Sequence, residues 1–494
     1  MASATAIPSS GHRYRLTFRH VAPQLGNQKS ATSLTPEVEM SSPPADRALV
    51  NVAIGYLPIA LNAFVTVILV PLYARSLGHA EWGTVAQCLA IQGLLFTMDV
   101  ALGALAVRDI AARDSAAEVW SLYRRYVVRY FIIGLSAGTL VVTVSLSPFE
   151  PMRLTSSSAA FDTGAITPSL LLLALSQFLA QFVNAATSAY WAGQRAAWRA
   201  SAAQSGFLIL KHATVLATIF AWTPSAQMFL LIMAVASWLE VVANNAAVAR
   251  HARQTVRQLN SATTAVSVPP NSPDHRAEQP SPSLQHYTPS VAPFVVATMA
   301  GTLGTQIDRV VLGMYLPSVD FGVYFLATLI ALSILSLQAP IGRVALPLMA
   351  SGAHVGHTVR RSLLATLFIV TIPACVAATL STEVLWWWLR DRGLADSLSA
   401  PARWMLLGVA MITVYGPFAN YLMAKQRYRH MLATSVIALF AQLVVVALVV
   451  SSHGNPDMQL GSLMWIISGC IHLLSTAALL ATDPVLRNGI FSRD

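Results

Sequence analysis

Runs of apolar residues, each ended by a charged or turn-forming segment, recur along this chain from about residue 48 to residue 482. They fall near 48–74, 82–107, 126–147, 168–192, 201–222, 227–249, 291–315, 322–348, 363–381, 403–424, 431–451 and 461–482. Each is close to the ~20 residues an α-helix needs to cross a hydrocarbon layer. The pattern predicts an all-α polytopic membrane protein of about 12 transmembrane helices, paired into hairpins.

Two stretches break the rhythm. Residues 1–46 are rich in Ser, Pro and Ala, lack the apolar region of a secretory signal, and read as a disordered cytoplasmic tail. Residues 251–290, centred on "VPPNSPDHRAEQPSPS", hold too little apolar surface to fold alone and read as a cytoplasmic linker. The expected order is therefore tail 1–46, a six-helix bundle over 47–250, linker 251–290, a second six-helix bundle over 291–482, and a cytoplasmic tail over 483–494.

The two bundles echo one another. "LGHAEWG", Leu77 to Gly83, returns 239 residues later as "LPSVDFG", Leu316 to Gly322, and "AGQR" at Ala192 to Arg195 returns as "AKQR" at Ala424 to Arg427. Six crossings per half is an even number, so both copies keep one orientation and form parallel repeats about an axis along the membrane normal. A substrate path is expected between them. The seven-residue motif reads as a hairpin turn more readily than as a binding site: Trp82 and Phe321 suit an interfacial belt, and Glu81 and Asp320 suit the positive end of the helix that follows.

Composition agrees with this class. Of the 494 residues 55% are hydrophobic and 11% charged, against about 25% charged in a soluble domain. The net charge of +10 comes from topology and does not mark a nucleic-acid surface, because the cations are sorted by loop. With the N-terminus inside, 22 Lys and Arg lie in inner segments and five in outer ones, so both termini are expected in the cytoplasm. Cys88, Cys375 and Cys470 sit in apolar runs without metal-ligand spacing, and the histidines, also without ligand spacing, read as loop residues. No metal or cofactor is expected. There is no phosphate-binding GxxxxGK[ST] motif, and the outer loops are too short for a catalytic domain, so the chain does not read as an enzyme.

Charges inside the spans are expensive and are functional candidates by default. The acids are Asp99, Glu240 and Asp308; the bases are Arg129, Lys211, Arg309 and Arg343. Lys211 and Glu240 lie about ten residues from the inner ends of two antiparallel spans, hence at similar depth. They can pair, either as a structural ion pair or as part of a substrate or ion site. Asp308 and Arg309 are adjacent, about 100° apart on a helix, and so need different partners. Arg343, three residues after Pro340, either snorkels to the interface or serves the substrate, and Arg129 reads as an interfacial anchor. "VLWWWLRDR", Val384 to Arg392, reads as an aromatic belt.

Two segments carry a family resemblance. "PLYARSLGHAEWGTVAQCLAIQGLLFTMDVALGALAVRDIA" resembles the first hairpin of Wzx-type polysaccharide flippases, and "QIDRVVLGMYLPSVDFGVYFLA", with Gln306, Asp308, Gly322 and Tyr324, resembles their seventh and eighth spans. Ala101 stands where that family often has Gly. The resemblance, to a family grouped with MATE exporters and lipid II flippases, implies two six-helix bundles around a V-shaped cavity. It also implies alternating-access transfer of an undecaprenyl-pyrophosphate-linked oligosaccharide across a bacterial inner membrane for surface polysaccharide biosynthesis. Polysaccharide polymerase and chain-length proteins are candidate partners. On this basis Lys211, Arg309 and Arg343 are the expected substrate-binding cations, and Asp99, Glu240 and Asp308 the expected ion-coupling acids. The competing assignments are a MATE-like cation-coupled exporter of small organic molecules, and a membrane polysaccharide polymerase or ligase.

Overall fold

A computed structural model describes residues 57–111, 113, 115–146, 167–194, 196–222, 224–265, 291–350, 355–452 and 456–491. The expected tail 1–46, most of the linker and Arg195 of the second repeat motif lie outside the described residues. Among the described residues the regular structure is helical throughout, with no strand. In lipid this is required, since only a helix or a closed barrel satisfies every backbone N–H and C=O within itself.

The N-terminal half consists of α1 (Leu57–Leu77), α2 (His79–Leu95), α3 (Thr97–Ala111), α4 (Ala116–Leu146), α5 (Pro168–Gly193), α6 (Ala197–Ala221) and α7 (Ala226–Ala265). The C-terminal half consists of α8 (Val291–Gly304), α9 (Ile307–Tyr315), α10 (Ser318–Ser336), α11 (Gln338–Ala350), α12 (Val355–Thr379), α13 (Ser381–Leu389), α14 (Arg392–Ala424), α15 (Tyr428–Ser451), α16 (Met458–Thr482) and α17 (Pro484–Phe491). Helix α7 runs on to Ala265, well past residue 250 where the first bundle was expected to end.

Among the described residues, ten helical stretches are long and apolar enough to cross a membrane. The difference from the expected twelve lies in the second and seventh spans, each of which is broken into two shorter helices: α2 and α3 at Phe96, α8 and α9 at Thr305–Gln306. The eighth span is also interrupted, at Leu337 between α10 and α11. Hydropathy is continuous through these points, so apolar periodicity alone does not register them.

The duplication is visible in the packing. In each half the fourth span lies along the sixth over much of its length, α5 on α7 and α14 on α16. Side-chain caps fix where the buried helices begin. Thr167 Oγ1 accepts from Leu170 N at the start of α5, Asp391 Oδ1 from Leu394 N at 3.1 Å at the start of α14, and Asp457 Oδ1 from Gln459 N and Leu460 N at 3.0 Å at the start of α16. Each cap is worth about 1 kcal/mol.

The halves meet where α2 packs on α10. Here the expectation of an interfacial belt fails: Trp82 is 2% exposed and Phe321 fully buried. Both helices approach so closely at Gly83 and Gly322 that the flanking rings fill the seam between the halves and do not face the lipid headgroups. Glu81 stands in the first turn of α2, yet its Oε2 accepts from Ala226 N at 2.6 Å and caps α7. In "VLWWWLRDR" Trp386 and Trp387 are exposed as a belt requires, whereas Trp388 is buried and its Nε1 donates to Val67 O at 2.6 Å across the halves.

Candidate functional site

Among the described residues the buried charged side chains within the spans form one pair per half. In the N-terminal half Lys211 on α6 and Glu240 on α7 face one another at matching depth, as their distances from the helix ends predict. Lys211 Nζ donates to Glu240 Oε2 at 2.6 Å, and both side chains are almost wholly buried. The other carboxylate oxygen accepts from Asn184 Nδ2 on α5 at 2.8 Å, and Asn184 Oδ1 accepts from Asn244 Nδ2 on α7 at 2.8 Å. The chain Lys211, Glu240, Asn184, Asn244 therefore ties three helices together with both carboxylate oxygens satisfied. Beside it His212 Nδ1 lies 3.0 Å from the hydroxyl of Tyr73 on α1, with the rings stacked. His212 is inside a span and buried. His472 of α16 likewise lies inside a span, half-buried against the Tyr415 ring of α14. Both correct the expectation that the histidines lie in loops. Spacing rules search for metal ligands and pass over a histidine whose partner is a tyrosine.

The C-terminal cluster is built on the break between α8 and α9. Where the helix is interrupted, Thr305 N and Gln306 N close tight turns to Thr302 O and Leu303 O, and Arg309 N bonds to Gln306 O. Thr305 O has thereby lost its usual donor four residues on, and the Arg309 guanidinium supplies one through Nη2. Asp308 Oδ2 accepts from the Tyr324 hydroxyl on α10 at 2.6 Å and from Trp465 Nε1 on α16 at 3.0 Å. Arg309 Nε stands 3.7 Å from Asp308 Oδ1, close enough for charge attraction and too far for a hydrogen bond. The two neighbours do take different partners, as expected from their 100° separation. Three buried polar atoms at this break have no hydrogen-bond partner: Gln306 Oε1, Asp308 Oδ1 and Arg309 Nε.

Asp99 lies two residues into α3, just past the Phe96 break, and accepts from the Tyr130 hydroxyl of α4 at 2.9 Å. Gln338, its counterpart at offset 239, is the first residue of α11 and donates to Thr413 O of α14 at 2.7 Å. Equivalent positions thus pin the segment after each break to a neighbouring helix, by a carboxylate in one half and an amide in the other. Arg343 lies in α11, and its side chain is outside the described residues. Arg129 is exposed with its guanidinium 5.4 Å from the Tyr126 ring centre, apart from both clusters. No group of metal-binding side chains occurs among the described residues.

Sequence reasoning reached the charged members of these clusters, the family resemblance also marked Gln306 and Tyr324, and the remaining neutral partners, Asn184, Asn244, Tyr130 and Trp465, were missed. Asn184, Asn244 and Tyr130 are polar residues in apolar spans at the depth of the charges they serve, a signal that a depth-matched search would have found. Trp465 is 157 residues from Asp308, and nothing local connects them.

The chain is similar to the lipid II flippase MurJ in an inward-closed conformation, at 13% identity over 90% of this chain and 91% of that one, with a TM-score of 0.63. It is similar to an inward-facing multidrug resistance MATE family transporter of the MOP superfamily, at 14% identity over 90% and 97% with a TM-score of 0.55. It is also similar to the MATE transporter VcmN of Vibrio cholerae, at 12% identity over 90% and 100% with a TM-score of 0.53. The chain has the fold of the MATE and MOP-superfamily transporters. Identities this low establish the MOP fold and leave the substrate open. No family model matches the sequence, and no curated protein matches it. Within the MOP fold, the broken seventh span and the paired bundles are what the two charged clusters are built upon.

Proposed function

We propose that this protein is a flippase that moves a polyprenyl-diphosphate-linked oligosaccharide between membrane leaflets by alternating access, in the biosynthesis of a surface polysaccharide. The observation that carries the proposal is the buried Nε–H of Arg309 at the break of the seventh span, which makes no hydrogen bond and has only the distant attraction of Asp308 Oδ1 at 3.7 Å. A guanidinium held in low dielectric with a free donor is suited to an anionic oxygen, and Arg presents a planar fork that matches phosphate geometry. The sugar moiety would occupy the path between the halves while the polyprenyl tail stays in lipid. The MurJ likeness supports a lipid-linked cargo on this fold.

In this scheme Arg309 recognises the diphosphate, with Lys211 and Arg343 as further cations, and Asp308, Asp99 and Glu240 are the acids available for ion coupling. Asp308 is the best placed of the three. A phosphate drawn to Arg309 weakens the 3.7 Å attraction to Asp308 Oδ1, which leaves that carboxylate in need of a cation or a proton. The protein would work in a bacterial inner membrane with both termini in the cytoplasm.

The test is flipping of a fluorescent polyprenyl-diphosphate oligosaccharide in proteoliposomes. Wild type should move the label between leaflets, and Arg309→Gln should slow it at least tenfold, the loss of about one charge-assisted hydrogen bond. Unchanged flipping by Arg309→Gln removes this residue from the mechanism. Efflux of small organic cations without flipping would establish the exporter alternative instead.

A further inference from the structure

Away from the two charged pairs, a cavity of about 210 Å³ lies at the end of the molecule that carries the α1–α2 turn, and both halves wall it. Its residues are sorted by depth. Arg75 in the last turn of α1, His79 at the start of α2 and Asp391 between α13 and α14 stand at the exposed mouth. Pro71 and Ala74 of α1, with Val319, Val323 and Leu326 of α10, line the body. The three α10 positions follow the i, i+4, i+7 spacing of one helix face, and Leu326 lies about 10 Å deeper than Val319 at the rise of an α-helix.

Trp82 completes the wall. Its Nε1 donates to Gly322 O at 3.1 Å, which fixes the ring across the halves. Beside it Gly83 and Gly322 meet backbone to backbone, where a Cβ on Gly322 would lie 2.8 Å from Gly83 Cα. The cavity is therefore held in shape by packed backbone. An apolar cavity of about 150 Å³ stays dry and takes up benzene, so this one has room for a hydrocarbon segment of more than about six carbons.

Polar groups at the helix ends and apolar groups one to two turns further in match an amphiphile standing in one leaflet. A hydrocarbon chain gains little by leaving bulk lipid for a protein cleft, since lipid tails are as apolar as Leu. The choice of occupant therefore rests on the mouth. Arg75 makes no ion pair among the described residues. Asp391 spends Oδ1 on Leu394 N at 3.1 Å, capping α14, and leaves Oδ2 to face outward ligands. A cation and an anion at one mouth, not paired with each other, complement a zwitterion.

We propose that this cavity binds a membrane phospholipid with a primary-ammonium headgroup: its phosphate on Arg75 and His79, its ammonium on Asp391, and one acyl chain along α10 between the halves. Phosphatidylglycerol offers Asp391 no ammonium, and the quaternary ammonium of phosphatidylcholine has no N–H to donate. The bound lipid is a ligand that touches both halves and is distinct from the cargo, so the inference does not depend on what is transported.

The experiment uses the full chain in phosphatidylcholine vesicles containing a trace of phosphatidylethanolamine with a diazirine in its acyl chain, or the same probe built on phosphatidylglycerol. Cross-linked peptides are read by mass spectrometry. Helix α15, where Ile437 and Phe440 are exposed, gives the background of unspecific lipid contact. Wild type should label the peptides holding Ala74 and Val323 above that background, with phosphatidylethanolamine favoured roughly 2- to 5-fold, the range of an exposed ion pair. Asp391→Asn keeps a capping side chain for α14 and should abolish this preference, whereas Arg75→Gln should lower labelling by both probes. Val319→Trp, at a position 41% exposed on the cavity wall, should bring labelling at Val323 down to the α15 background. If Val319→Trp does not fold, Asp391→Asn decides. Equal labelling of the cavity and α15 in wild type, a preference for phosphatidylglycerol, or a phosphatidylethanolamine preference that survives Asp391→Asn overturns the proposal. No cargo is present in the assay, so failure of the flippase reading leaves its result standing.

Discussion

Removing one partner of the Lys211–Glu240 pair should be far more damaging than removing both. Lys211→Met leaves the Glu240 carboxylate buried with only the Asn184 amide to compensate it, and Glu240→Gln leaves an ammonium facing a neutral amide. Both groups are almost fully out of contact with solvent, so no screening softens the loss. Orphaning a buried charge in this way costs about 3–5 kcal/mol, whereas replacing the pair by neutral groups of similar volume is often close to neutral.

The double variant Lys211→Met/Glu240→Gln should therefore recover most of the stability lost in either single variant, with a coupling energy on the order of 3 kcal/mol. The measurement is a double-mutant cycle of unfolding free energy in mixed micelles, alongside flipping by the same four proteins. Gln at 240 keeps an acceptor for Asn184 Nδ2, so the three-helix tie persists in the double variant. If the pair is purely structural, transport returns with stability. Stability that returns without transport places Lys211 or Glu240 in the transport path. Additive single losses, with coupling below about 0.5 kcal/mol, refute the claim that these charges depend on one another.

Three other outcomes follow from the geometry. Asp308→Asn keeps an acceptor for Tyr324 and Trp465 but leaves the buried Arg309 guanidinium without the carboxylate that faces it, so any ion dependence of proteoliposome flipping should disappear and the unfolding free energy in mixed micelles should fall by about 3 kcal/mol or more. Asp483, just beyond α16, anchors α17: its carboxylate accepts from Tyr421, Arg427, Val485 N and Leu486 N. Burial raises its pKa, but the Tyr421 hydroxyl, the two backbone N–H groups and the Arg427 charge outweigh this and hold it below the ordinary carboxylate value. A depressed folded-state pKa gives stability that is fully present above the unfolded value near 3.9 and lost as pH falls through the folded one. Hydrogen exchange in residues 484–491 should accordingly stay slow down to about pH 4 and quicken below it, and Asp483→Ala should make it fast at neutral pH. Gly489→Val should undock the same helix, because Gly489 and Gly356 meet backbone to backbone, and a Cβ on Gly489 would lie only 2.4 Å from Gly356 Cα; limited proteolysis after Arg487 reads this directly.

How far the sequence reveals this molecule depends on the range of the interaction concerned. Span number follows from hydropathy because lipid acts on every residue of a helix alike. The Lys211–Glu240 contact follows from counting residues along two antiparallel helices, since the rise per residue converts position to depth. The break at Thr305–Gln306 does not follow, because its cause is tertiary: Asp308 is held by Tyr324 and Trp465 from two other helices, and Arg309 turns back to the carbonyl of Thr305. Trp82 shows the same limit from the other side. A tryptophan next to a turn suits an interface on local grounds, and only the contact of Gly83 with Gly322 makes it a buried latch.

Duplication explains why the functional chemistry differs between halves that share a scaffold. A pair of parallel repeats is bound to use equivalent surfaces at the axis, which is why the Gly83–Gly322 contact is symmetric in kind. Away from the axis nothing enforces equivalence. The N-terminal cluster is closed upon itself, every carboxylate oxygen of Glu240 engaged, and stiffens its bundle. The C-terminal cluster leaves Gln306 Oε1, Asp308 Oδ1 and Arg309 Nε unsatisfied in a lipid-embedded interior, where each orphaned polar group costs ~1–3 kcal/mol. A cost of that kind is offset when a ligand or ion supplies the missing bonds during part of the cycle. On the proposed function, the C-terminal half, which holds these three groups, would be the half that responds to cargo, and the α2–α10 seam would be where its response meets the other half.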